Sequence, residues 1–229
     1  MVMRRALKLL LFPGGMRGLG VTIGLALVIV GILYTPAALA FPHVKRIGDT
    51  TVYSVAPILD VMAERINRAD ALLAASPLAE PGLRRTLVLT DGGWRWQVLA
   101  AGNWNVIALR RPFSSVLLFN SADVVADRVR NGAPGRGERT LSGTIAHESV
   151  HLLTARRYSE IRLARMPEWK REGYADYVAQ ETSIRAEDEA RIRERWPDAP
   201  VLRYYAAHRR VKHLLDSDGK SVDDLLSKD

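Results

Sequence analysis

The sequence predicts an α+β domain. A small mixed or antiparallel sheet packs on a long central helix, C-terminal helices follow, and an N-terminal membrane segment precedes it. Three observations predict this. Short apolar runs rich in Val, Leu and Ile, parted by Gly, Asn and Pro, fill residues 44–119. Apolar residues spaced three and four apart dominate the chain beyond residue 140. An uncharged run, Gly18 to Pro42, follows four basic residues. The 229-residue chain therefore divides into a leader, residues 1–40, and one domain, residues 41–229, large enough to bury a core.

Arg4, Arg5, Lys8 and Arg17 precede the strongly apolar stretch Leu19 to Leu33. Basic residues on the leading side place the N-terminus in the cytoplasm and the rest of the chain across the membrane. Two outcomes stay open: a signal peptide cleaved near Ala40, after Ala38-Leu39-Ala40, or a retained transmembrane anchor. Either outcome places the domain outside the cytoplasm, membrane-anchored or released as a secreted or periplasmic protein.

The first half reads as strands around one helix. Val44–Arg46 and Thr51–Tyr53 flank a Gly48-Asp49 turn. Pro57–Ala75 carries Ile58, Val61, Met62, Ile66, Ala69, Leu72 and Leu73 along one side, a helical pattern. Leu87–Thr90 is a strand ended by Asp91-Gly-Gly93. Trp94–Leu99, Val106–Leu109 and Val116–Phe119 are expected as further strands. Trp94, Trp96 and Trp104 are either core residues or the lining of a pocket.

The second half carries the chemistry. His147-Glu148-Ser149-Val150-His151 lies in a stretch with Leu141, Ile145, Leu152 and Leu153 at helical spacing. Thr140 or Ser142 is placed to cap its start, and Arg156 and Arg157 suit the negative end of the helix dipole. The exposed loop Asn131–Glu138 precedes it, and the basic stretch Arg136 to Arg139 reads as part of a solvated loop, with contact to anionic lipid as the other reading. Residues four apart share a helix face, so both imidazoles can reach one Zn²⁺ ion, with Glu148 beside its bound water. This is the minimal apparatus of a zinc metallopeptidase: two neutral nitrogens hold the metal and a carboxylate takes a proton from the water. A second helix is expected over Pro167–Ala179, with Glu172 and Asp176 on one face. Glu168, four residues before Glu172, competes as a carboxylate but follows Pro167 and reads as a helix-start residue.

The motif followed about twenty residues later by Trp169-Lys-Arg-Glu172-Gly173-Tyr-Ala175-Asp176-Tyr177 resembles the gluzincin metallopeptidases of the peptidase MA clan, which include aminopeptidase-like and thermolysin-like enzymes. The resemblance implies a zincin-like fold and Glu172 as the third metal ligand. It also implies Asp176 as the carboxylate that orients a ligand histidine. The tail Arg203–Leu215 resembles the helix that closes such sites with a Tyr or His for the oxyanion. Tyr204, Tyr205 and His208 are the candidates, in that order, while His213 reads as structural. Members of the clan bind extended substrate on an edge strand. Ser115–Asn120 is the candidate for that edge, with an interior core strand as the other reading. The Gly-x-Met-Glu-Asn segment of the aminopeptidases is missing, which counts against reading a free amino terminus.

The leader accounts for half of the net charge of +8; residues 41–229 carry 29 basic and 25 acidic residues. That balance, and basic residues interleaved with acids, give no footprint for nucleic acid. The sequence has no Cys, which excludes a disulfide framework and a thiolate metal site. The expected partners are a peptide or protein substrate and a membrane. The other reading is a non-catalytic zinc-binding envelope module; a third is a structural protein with a chance motif.

Overall fold

In a computed structural model, residues 15–131 and 138–227 are described. Arg4, Arg5, Lys8, the side chain of Arg17 and most of the 131–138 loop, Arg136 included, lie outside the described residues. The chain divides into two compact units, Met1–Ala40 and Phe41–Asp229. The first unit holds helix α1 (Gly15–Tyr34) and a 3-10 turn, Pro36–Leu39. Leu25, Leu27 and Val28 of α1 are exposed. Among the described residues no helix is long and apolar enough to cross a membrane.

The second unit is built on a mixed sheet. Strands β1 (His43–Ile47) and β2 (Thr50–Ser54) form a hairpin around the turn at Gly48, whose φ of 56° suits glycine. Helix α2 (Val61–Ala74) then crosses to β3 (Arg85–Thr90), which runs parallel to β2. Helix α3 (Trp94–Ala100) leads to the short β4 (Ala108–Arg110) and to β5 (Val116–Asp123). Strand β5 lies parallel to β3 and antiparallel to β4. Strands β6 (Arg128–Arg130) and β7 (Glu138–Arg139) extend the sheet, giving the order β1-β2-β3-β5-β6-β7, with β4 beside the first half of β5.

One expectation is corrected here, and one of two open readings is decided. Trp94–Leu99 is a helix rather than a strand. Its Trp94, Trp96 and Val98 imitate strand alternation, but Trp96, Leu99 and Ala100 are the buried set, spaced three and four apart, while Trp94 and Val98 are exposed. The strand holding Ser115–Asn120 is interior, not an edge: it is paired on both sides, and Leu117, Leu118 and Phe119 are fully buried. The helix expected from Pro57 begins only at Val61, after Asp60.

One face of the sheet carries α2 and the central helix α4 (Leu141–Tyr158). Leu87, Leu89, Leu117 and Phe119 pack there with Met62, Ile66, Ile145 and Val150. Helix α5 (Glu160–Arg165), helix α6 (Glu168–Ala179), helix α7 (Glu189–Arg195), helix α8 (Pro200–Asp216) and helix α9 (Val222–Ser227) complete the unit. Helix α6 packs between α4 and α8. Gly173 makes the close approach of α6 and α8 possible: a Cβ there would lie 2.6 Å from the Ala207 carbonyl oxygen. In an open helix, Gly→Ala gains about 1 kcal/mol. Here the obstacle is backbone, and overpacking costs about 1–3 kcal/mol. Gly173→Ala is therefore expected to lower the melting temperature; a higher one would show that α8 docks loosely.

Candidate metal centre

The start of α4 is held by side chains rather than left to solvent. Thr140 Oγ1 accepts from Gly143 N at 3.0 Å and donates to Glu181 Oε2 at 2.7 Å, while Thr140 N donates to Glu181 Oε1 at 2.8 Å. Asp127 accepts from Ser142 N and Ser142 Oγ, each at 2.8 Å. Thr140 is thus the N-cap of the two candidates. Two carboxylates at the positive end of the helix also favour it electrostatically. The caps fix the rotation of α4 from its first turn, which sets the direction of the side chains two turns on.

His147 and His151, one turn apart, project from α4 with their Nε2 atoms 3.2 Å apart. Glu172 of α6 meets both. Its Oε2 lies 3.4 Å from His147 Nε2 and 3.5 Å from His151 Nε2. Three electron-rich atoms this close repel one another unless a cation or a proton sits among them. Tetrahedral zinc with bonds of 2.0–2.1 Å would set its ligand atoms about 3.3 Å apart. The observed spacings match that edge, so His147, His151 and Glu172 can hold a metal ion. Glu172 Oε1 accepts from Arg171 Nε at 2.7 Å, which leaves Oε2 as the ligand atom. Glu168, the competing carboxylate, is instead within 3.9 Å of Arg203 on α8.

Asp176, one turn after Glu172 and 1% exposed, lies behind the histidine. Its Oδ1 is 2.8 Å from His147 Nδ1. Arg139 donates to the same oxygen at 2.7 Å. Arg139 is buried, so reading it as part of a solvated loop is corrected. Its guanidinium is drawn inward by Asp176 and by the Glu181 carbonyl, to which Nη2 donates at 2.9 Å.

These contacts set the charges. Burial raises the carboxyl of Glu172, but the two histidines overcome it and hold the group well below its usual range. Burial likewise raises Asp176, and Arg139 and His147 bring it below its ordinary value. For His147, burial lowers the pKa, but Asp176 and Glu172 outweigh it and raise it to about 10. A metal ion must displace that proton. Zinc affinity is therefore expected to strengthen as pH rises from 6 to 8, by up to about tenfold per unit. Chelator-competition titrations that give a flat profile would contradict this.

Glu148 is 5% exposed and lines a cleft of about 580 Å³ together with His151, Glu172 and Tyr204. Tyr204 thus reaches the site from α8, and burial and the nearby Glu172 raise its pKa. Tyr205 and His208 line a different depression, on the side of Arg139 and Glu181, and do not join it. His213 is exposed beside Asp218. The tryptophans do not line the cleft. Trp96 is buried, and its Nε1 donates to the Trp104 carbonyl, whereas Trp94 and Trp104 are largely exposed.

One cleft wall is β4 with Val106, and the other is α5. Arg110 of β4 and Glu160 of α5 join them through paired hydrogen bonds of 2.8 and 2.5 Å. Glu160 also accepts from Phe113 N at 2.7 Å. Burial raises the Glu160 carboxyl, but these donors bring it below its usual range. Phe113 sits at φ 56° and is 76% exposed at the cleft. The sequence held no cue for the Arg110–Glu160 tie or for Arg139, since each joins residues far apart in the chain. No protein family, curated protein or solved structure matches the chain.

Proposed function

We propose that the chain is a gluzincin-like zinc metallopeptidase with a zincin-like catalytic domain, which hydrolyses peptide bonds in a peptide or protein substrate. The observation that carries this reading is the convergence of His147 Nε2, His151 Nε2 and Glu172 Oε2 at 3.2–3.5 Å, with Glu148 in the adjoining cleft. Bound there, one Zn²⁺ would supply Lewis acidity, polarising the scissile carbonyl and acidifying water.

The chain's own residues supply the rest. Glu148 accepts the proton of the attacking water and passes it to the leaving amine. The Tyr204 hydroxyl donates to the carbonyl oxygen as it gains negative charge. Arg171 keeps Glu172 in its single-oxygen geometry.

Strand β4 takes the role expected of Ser115–Asn120. Arg111 N donates to Val116 O, and Asn120 N to Ile107 O, both at 2.9 Å. In an antiparallel ladder these bonded pairs alternate with outward-facing residues. Ala108 and Arg110 therefore turn their backbone groups away from β5, and among the described residues no strand pairs with them. An extended peptide that adds to this edge lies along the cleft over the metal ligands.

The basic leader and the apolar stretch Leu19 to Leu33 within α1 support export of the domain, either tethered to a membrane or released near Ala40. The exposed Leu25, Leu27 and Val28 fit an apolar surrounding better than water.

The test is cleavage of an unfolded protein such as casein by the zinc-loaded chain. Cleavage that a chelator stops and zinc restores supports the peptidase. Zinc binding without turnover on any of a broad set of peptides would favour the non-catalytic module.

A further inference from the structure

Asp176 presents one oxygen to two partners. Oδ1 lies 2.7 Å from Arg139 Nη1 and 2.8 Å from His147 Nδ1. A guanidinium has only donors, so Oδ1 accepts from Arg139. With the carboxylate ionised beside Arg139, it can only accept from His147 as well. Nδ1 must then carry a hydrogen, so Nε2, on the side facing His151 and Glu172, is the nitrogen whose lone pair a metal ion can take once it displaces the second proton. Arg139 is itself fixed, because Nη2 donates to the Glu181 carbonyl at 2.9 Å and Glu181 also caps α4 through Thr140. A chain of contacts thus runs from the end of β7 to the orientation of one ligand nitrogen.

We propose that Arg139 is a positioning residue for the metal centre, holding Asp176 so that His147 offers Nε2 to the metal. This rests on the metal-centre reading of His147, His151 and Glu172. The motif residues do not include Arg139, and its part comes from the contacts alone. Residues that orient a ligand histidine typically change metal affinity by about 10–100-fold when removed.

The experiment uses zinc alone as the probe. Its dissociation constant is measured by chelator competition on the purified full chain, and the melting temperature is read in excess chelator. The variants are Arg139→Gln, Arg139→Lys, Asp176→Asn and the double variant Arg139→Gln/Asp176→Asn. Arg139→Gln should weaken zinc binding about tenfold or more. Arg139→Lys, which keeps a cationic donor, should recover part of the loss. In the Asp176→Asn background, Arg139→Gln should add less than about a twofold loss, because Arg139 acts through Asp176.

Equal losses in both backgrounds, or a wild-type dissociation constant for Arg139→Gln, would overturn the proposal. A lower melting temperature with unchanged zinc affinity would do the same, since it marks a structural tie only. Should Arg139→Gln fail to fold with Asp176 left uncompensated, Arg139→Lys carries the test: weaker zinc binding than wild type supports the proposal, and a wild-type dissociation constant, or about a tenfold added loss in the double variant over Asp176→Asn, overturns it. A wild-type chain that binds no zinc would sink the metal centre itself. A zinc-binding wild type with an unaffected Arg139→Gln would sink the Arg139 assignment alone.

Discussion

Glu148→Gln is expected to keep zinc bound and to lose peptide hydrolysis. Glutamine has nearly the same volume, so the packing of this buried residue on α4 is preserved. Glu148 belongs to the cleft wall and is absent from the convergent ligand set, so affinity for the metal should change little. The substitution removes the only group proposed to take the proton of the attacking water. Removing a general base typically costs about 10²–10⁴-fold in rate. The check is the turnover of zinc-loaded Glu148→Gln against wild type on the same substrate. Turnover near wild type would remove Glu148 from the mechanism. Loss of zinc together with turnover would make it a ligand or a packing residue instead.

Glu172→Ala is expected to have the largest effect on metal binding. Two imidazoles remain, and the site loses both its only anionic ligand and the element α6 contributes to it. The loss should exceed the roughly 10–100-fold typical of removing an orienting partner such as Asp176. The protein should stay folded, because Glu172 makes no tie to backbone and its second oxygen bonds only the adjacent Arg171. Chelator competition on wild type and variant measures the effect. An unchanged affinity would mean that another carboxylate binds the metal. Glu168, near Arg203 and away from the histidines, would then have to swing across α6.

The central motif was legible because its logic is local. His147 and His151 are one helical turn apart, as are Glu172 and Asp176, and the apolar neighbours of each pair state the helix. The flanking strands were legible as short apolar runs bounded by Gly, Asn and Pro, which is why β1, β2, β3 and the start of β5 fall where the sequence puts them. The features that escaped depend on partners distant in the chain. Arg139 looks like one more basic residue after a Gly-rich loop, until Asp176, 37 residues on, draws it under His147. The interior position of β5 and the rim position of β4 had the same origin. Both are short apolar runs, and only the parallel pairing of β5 with β3 makes β5 interior and leaves β4 at the rim. Trp94–Leu99 was misread for a different reason. Over six residues, apolar side chains satisfy both patterns at once, and the burial of Leu99 and Ala100 beside Trp96, with Trp94 and Val98 exposed, decides for the helix.

The most direct measurement is X-ray absorption at the zinc edge on the purified chain, with zinc counted per chain by elemental mass spectrometry. One zinc per chain is predicted, with two imidazole nitrogens and oxygen donors at about 2.0–2.1 Å, and both signals lost in His151→Ala. A folded chain that takes up no zinc, or one whose zinc keeps the same shell in His151→Ala, would contradict the assignment of His147, His151 and Glu172 as a metal centre.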